Sequence, residues 1–159
     1  MLIRVNFLIR FGAKNWTKMT EKSEIILSPS ELFLTELAAA AEGLVYISET
    51  DAPIELFVGG AANSVTVDEL IRQTSLPSDA SISLQSPDGL FSQLTRTQDW
   101  YGEAEKAKAA KFATMVELLR ANLADLTEFR IGTTRIDIYI VGLMPDGRLG
   151  GIKTLAVET

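Results

Sequence analysis

Two residue types are missing from this 159-residue chain: cysteine and histidine. Without cysteine there is no disulfide, no thiol nucleophile and no thiolate metal site, which suits a reducing compartment such as the cytoplasm. Without histidine, the usual general base near neutral pH and the commonest metal ligand are absent too. Together the two absences remove most nucleophilic and zinc chemistry. An enzyme using Asp and Glu alone is the catalytic option left. No apolar run reaches the roughly 18 residues that a membrane-spanning helix needs, so no membrane partner is expected. Gly59-Gly60 and Gly150-Gly151 lack the context of a phosphate-binding loop; they read as a turn and a strand irregularity. Lys106, Lys108 and Lys111 form no basic patch with interleaved aromatics, so direct nucleic-acid binding is not expected.

What is present fits one ordinary domain. Hydrophobic residues make up 47% and charged residues 23%, enough for a core under a typical polar surface. The net charge of −6 is unevenly spread. Residues 1–18 hold Arg4, Arg10, Lys14 and Lys18 and no acid, so the remaining 11 basic and 21 acidic residues leave a body at −10. Such a body repels nucleic acid and favours a basic partner, although acidity also serves plain solubility. The opening Met1–Phe11 is apolar but interrupted by Arg4, Asn6 and Arg10, and no small-residue cleavage site follows. It reads as a basic extension, with Met19 as a candidate initiator, or as an edge strand. Residues 19–159 are then the single domain.

Local signals order that domain. Ser28-Pro29-Ser30-Glu31 is a capping box with proline at the first helical position. Leu32, Phe33, Leu37, Ala40 and Ala41 follow near helical spacing, and Gly43 stops the helix. Ile54, Leu56 and Val58 alternate as a strand. Thr66-Val67-Asp68-Glu69 is a second capping box ahead of Leu70 and Ile71. A short strand is expected around Ile82–Leu84 and a helical turn around Leu90–Leu94. The longest helix is predicted from Trp100 to Ala124, with Phe112, Met115, Val116, Leu119 and Leu123 as its apolar stripe and Lys106, Lys108 and Lys111 toward solvent. Gly132-Thr133 and Pro145-Asp146-Gly147 then turn alternating strands into an antiparallel meander. The class is α+β.

Three places could carry function. Asp99 and Trp100 stand at a predicted helix mouth with Glu103 and Glu105. Asp99 can serve as a cap and Trp100 as an apolar lid, the acids suiting the helix dipole; alternatively, an exposed Trp beside a carboxylate is the composition of a binding hot spot. Glu49, in Tyr46-Ile47-Ser48-Glu49-Thr50-Asp51, lies in a polar loop where acids are common. Thr159 follows a strand with little tail, so its hydroxyl and a terminal carboxylate are expected to be held in place rather than frayed.

The stretches TQDWYGEAEKAKAAKFATMVELLRANL, RIDIYIVGLMPDGRLGGIKTLAVET and EGLVYISETDAPIELF resemble the nuclease A inhibitor family. The likeness runs from about Ser30 to Thr159, is strongest from Gln98 onward, and has no counterpart in the first eighteen or so residues. The resemblance implies a three-layer α-β-α sandwich of the pathogenesis-related protein 1 type. It also implies an inhibitor that occludes a metal-dependent, sugar-non-specific DNA/RNA endonuclease of the ββα-metal type. By the same resemblance, Asp99 would pair with an arginine of the nuclease, Trp100 would pack on its surface, and Glu49 and Thr159 would approach its metal. The expected protein has no catalytic residue, cofactor or metal of its own, and is a cytoplasmic monomer forming a 1:1 complex. The alternative is an acidic binding module of the same fold with a different basic partner.

Overall fold

The structure, a computed structural model, describes residues 26–77 and 79–159 in full and, ahead of them, the backbone of four short strands. These are β1 (Leu2–Val5), β2 (Leu8–Phe11), β3 (Asn15–Lys18) and β4 (Ser23–Ile26), with β1 antiparallel to β4 and β2 to β3. The reading of residues 1–18 as an extension and of Met19 as an initiator falls outside the fully described residues.

The meander forms as the alternation requires. Strands β9 (Ala124–Ile131), β10 (Arg135–Leu143) and β11 (Arg148–Val157) pair antiparallel in succession. Gly132 turns the first corner at φ 113° and Gly147 the second at φ 85°, values that glycine adopts without a Cβ penalty. Strand β7 (Glu55–Ala61) adds to β11 and β8 (Ile82–Gln85) to β9, giving the order β7-β11-β10-β9-β8. A separate hairpin joins β5 (Val45–Ile47) to β6 (Asp51–Pro53), with residues 48–50 at its tip.

Successive side chains of β10 point to opposite faces, and each face has its own cluster. Ile136, Ile138 and Ile140 pack with Phe33 and Leu37 of α1 (Pro29–Ala41), Phe91 of α3 (Asp88–Thr95), and Phe112, Met115 and Leu119 of α4 (Glu103–Asn122). Val141, Phe129, Ile131, Phe57 and Leu149 gather round Leu70 of α2 (Val67–Thr74) on the other face. The fold is thus α+β, with four helices and antiparallel sheets among the described residues. Arg120 ties α4 to α3, lying over the Phe91 ring and pairing with Asp88 at 2.9 Å.

The first helix starts as the sequence specifies. Ser28 Oγ accepts from Glu31 N–H at 3.2 Å, and the Glu31 carboxylate accepts from Ser28 N–H at 3.0 Å; such a cap contributes about 1 kcal/mol. Gly43 leaves that helix at φ 76°. The second box is half formed. Thr66 accepts from Glu69 N–H, but the Glu69 carboxylate accepts from Arg72 at 2.6 Å rather than reaching back.

Four expectations need correcting. Helix α4 begins at Glu103, behind an N-cap at Gly102, not at Trp100, and ends at Asn122 rather than Ala124. Tyr101 N–H closes a turn onto Gln98 O at 3.0 Å, so Asp99 lies three residues ahead of the cap and does not cap the helix. Gly59-Gly60 is no turn: β7 runs through both residues, and the missing side chain at Gly59 admits Gln73 of α2. Gln73 accepts from Gly60 N–H at 2.8 Å and covers an exposed sheet edge. Of the three lysines only Lys106 is exposed, and Lys108 and Lys111 are half-buried. Lys108 lies over the Phe112 ring, and Lys111 donates to Glu42 O at the end of α1, where a cation suits the helix dipole.

Gly151 sits at φ 154°, and a Cβ there would run into the Ile140 carbonyl. At Gly60 an added Cβ meets nothing within 4 Å. Gly151→Ala should therefore cost about 2–3 kcal/mol of stability, while Gly60→Ala should stay within about 0.5 kcal/mol of the parent. Urea denaturation of the two variants checks this contrast.

Candidate functional site: the Glu49–Thr159 tip and the Trp100 groove

The tip of the β5–β6 hairpin is held by its own turn and by the end of β11. Ser48 N–H and Oγ–H both donate to Thr50 O, at 2.9 and 3.0 Å. Val157 N–H donates to Ser48 Oγ at 3.0 Å, and Glu49 N–H returns a bond to Val157 O at 3.2 Å. Glu158 N–H is taken by Thr134 O at 2.9 Å. These bonds set Thr159 against Glu49, where its amide (3.0 Å) and its hydroxyl (2.6 Å) both donate to Glu49 Oε1. Two donors on one oxygen favour the charged form. The Thr159 hydroxyl first, then its amide, hold the exposed Glu49 carboxyl below the usual glutamate range. The other oxygen, Oε2, has no hydrogen-bond partner among the described residues. It is an ionised, outward oxygen of the kind that a hard cation or a guanidinium accepts.

Behind this tip lies a group of charges. Glu128 has no exposed surface; it stands opposite Ile140 in the β9–β10 ladder, on the face that carries the α1, α3 and α4 cluster. Gln85, its partner across the β8–β9 ladder, donates an amide N–H to Glu128 Oε2, and Arg130 approaches the same oxygen at 3.4 Å. Glu128 Oε1 finds no donor among the described residues. Arg130, itself 19% exposed, turns its second terminal nitrogen to Glu158 at 2.8 Å. Burial pulls Arg130 down, but Glu158 and Glu128 together hold it above its ordinary value. Tyr46 of β5 packs into the same neighbourhood, and burial is the main cause of its raised phenol value.

A groove of about 490 Å³ opens between β5 and the α3–α4 connection. Ile47 and Tyr46 line one side, and Trp100, Tyr101, Arg96 and Lys108 the other. Trp100 is 78% exposed and Ile47 59%, so Trp100 is no lid over the core. It stands edge-on to Tyr101, ring centres 4.7 Å apart. Asp99 beside it is exposed. Ile47 is two residues before Glu49, so β5 leads from the groove to the Glu49–Thr159 tip.

The sequence singles out Glu49, Asp99, Trp100 and Thr159. Glu49 and Thr159 are joined by direct bonds; Asp99 and Trp100 share an exposed turn on the groove, with no bond to the other two among those described. Three residues escape sequence reasoning. Ile47 reads as a strand residue, and its exposure follows from the tertiary placement of the β5–β6 hairpin, which no local spacing gives. Arg130 and Glu128 read as the polar half of a strand alternation, with no local signal that helices would cover that half.

A family model described as nuclease A inhibitor-like protein matches residues 31–159. The match takes in the tip, the groove and the whole five-stranded sheet, and the chain belongs to that family. No curated protein matches the chain.

Two outcomes follow from these bonds. Arg130→Met leaves Glu128 buried without its cation and should destabilise the fold by about 3–5 kcal/mol, read by thermal or urea unfolding. Thr159→Val removes the hydroxyl donor, so the Glu49 carboxyl should titrate nearer the ordinary value of about 4.3, read by carboxyl-detected NMR. A carboxyl lowered by folding contributes stability above its unfolded value and loses it as pH falls through the folded value. The stability gap between parent and variant should therefore be full near neutral pH and close below about pH 4.

Proposed function

We propose that this chain inhibits a metal-dependent, sugar-non-specific endonuclease by binding in its substrate groove. The carrying observation is the Glu49–Thr159 tip, which turns an ionised oxygen outward at the end of a strand that also lines the Trp100 groove. Family membership supports a nuclease as partner. In this reading the target is of the ββα-metal type. Glu49, with Thr159 beside it, offers oxygen to the active-site metal, which prefers such ligands. Trp100 supplies a rigid apolar contact, and Asp99 pairs with an arginine of the enzyme. The complex is 1:1 with a monomeric inhibitor, formed in the cytoplasm by a domain spanning 19–159. The two clusters on opposite faces of the sheet support the three-layer α-β-α sandwich of the pathogenesis-related protein 1 type as the finer fold.

Inhibition here is occlusion: the bound chain denies the groove to phosphates and undergoes no reaction. A groove built to hold phosphates is basic, and the −10 body would speed encounter with it, more so at low salt. Titrating ββα-metal nucleases with the chain tests the reading. Loss of activity that is complete at equimolar ratio is expected. Activity unaffected by a large excess, across several such enzymes, overturns it and favours an acidic module with another basic partner.

The exposure of Trp100 separates binding from folding. Trp100→Ala should weaken the complex by about 2–4 kcal/mol and leave the melting temperature unchanged. A lowered melting temperature with unchanged inhibition would return Trp100 to a structural role.

A further inference from the structure

The contact that the proposed surface offers its partner joins Glu49 to residues 157–159, and its support can be traced inward. Glu158 sits between Val157, stitched to Ser48, and Thr159, bonded to Glu49. Its side chain does not face the partner surface freely but is taken by Arg130 at 2.8 Å. Arg130 cannot follow Glu158 outward, because its other terminal nitrogen faces a carboxylate with no exposed surface. That carboxylate, Glu128, is itself fixed by the cross-strand amide of Gln85. The planar guanidinium spans two acids at once, which a lysine ammonium on its flexible stem does less well.

We propose that Arg130 is a positioning residue: anchored inward by Glu128 and Gln85, it holds Glu158 and so fixes the Thr159–Glu49 contact. The inference rests on the reading of that contact as part of the inhibitory surface, but the clamp can be measured without any nuclease. Arg130 touches no partner in this account. It acts on register and on the freedom of residues 158–159, so that Glu49 Oε2 is presented in one direction rather than many. Holding a group in its bound geometry beforehand raises affinity by cutting the ordering cost of binding.

The test uses Glu158→Ala, which breaks the outer half of the bridge and leaves the buried Arg130–Glu128 pair, so the chain should fold with a near-parental melting temperature. Arg130→Lys is the second variant, keeping charge but not the fork. In the free protein, NMR should show exchange of the Thr159 amide faster by about fivefold or more in Glu158→Ala, the scale of a lost partly exposed ion pair. The Glu49 carboxyl should move toward its ordinary titration range in the same sample. Arg130→Lys should show both changes to a smaller degree, and Glu158→Ala should inhibit the nuclease about fivefold less well. Unchanged exchange and titration in both variants overturn the clamp, whatever the inhibition does. Weaker inhibition with unchanged exchange also overturns it, because Glu158 would then be touching the partner itself. A parent chain that inhibits nothing overturns the functional reading alone, and the exchange data still decide the clamp.

Discussion

A buried carboxyl needs hydrogen-bonding partners, and Glu128 finds them in Gln85 and Arg130. That requirement reaches well beyond the pair. It fixes the outer strand β8 to β9 through Gln85, and it holds a guanidinium at the rim of the sheet facing Glu158. Leaving out one partner of a buried ion pair is far more costly than replacing both with well-packed apolar residues. An apolar pair at 128 and 130 would offer nothing to Glu158, which Arg130 meets at 2.8 Å.

The proposed surface is made mostly by parts of the chain outside the main sheet. Helices α1, α3 and α4 cover one face and α2 the other. The β5–β6 hairpin pairs only with itself in the sheet topology, and the turn at 98–102 precedes a helix that Gly102 starts late. Ile47 and Trp100 remain uncovered on these two pieces. Large apolar side chains exposed together around a groove mark an interaction surface more often than a chance of packing. In the proposed reading the acidic body favours a basic partner for that surface, and family membership points to a nuclease.

Much of this was legible in the sequence because it was local. The Ser28 capping box, the Phe112–Leu123 stripe and the two glycine turns are written in neighbouring residues, and they stand where the spacing put them. The α4 boundary was misplaced because an acid and an aromatic ahead of a helix resemble a cap, while Gly102, with no side chain to signal, took the position. Gly59-Gly60 resembled a turn because glycine pairs usually mark one; here Gly59 makes room for Gln73, fourteen residues away in sequence. The Glu49–Thr159 bond spans 110 residues and the Gln85–Glu128 bond 43. No period or motif carries such distances. The family resemblance brought Glu49 and Thr159 to attention, but their direct bonding, and the part of Arg130 behind it, are tertiary facts.

The central claim is that the Glu49–Thr159 tip and the Trp100 groove form one partner-binding face. Hydrogen exchange of the chain, alone and mixed with a catalytically inactive ββα-metal nuclease, tests it most directly. The account expects protection confined to residues 45–50, 93–105 and 157–159. Protection on the α2–β7 side of the sheet, with those three segments unchanged, would contradict it.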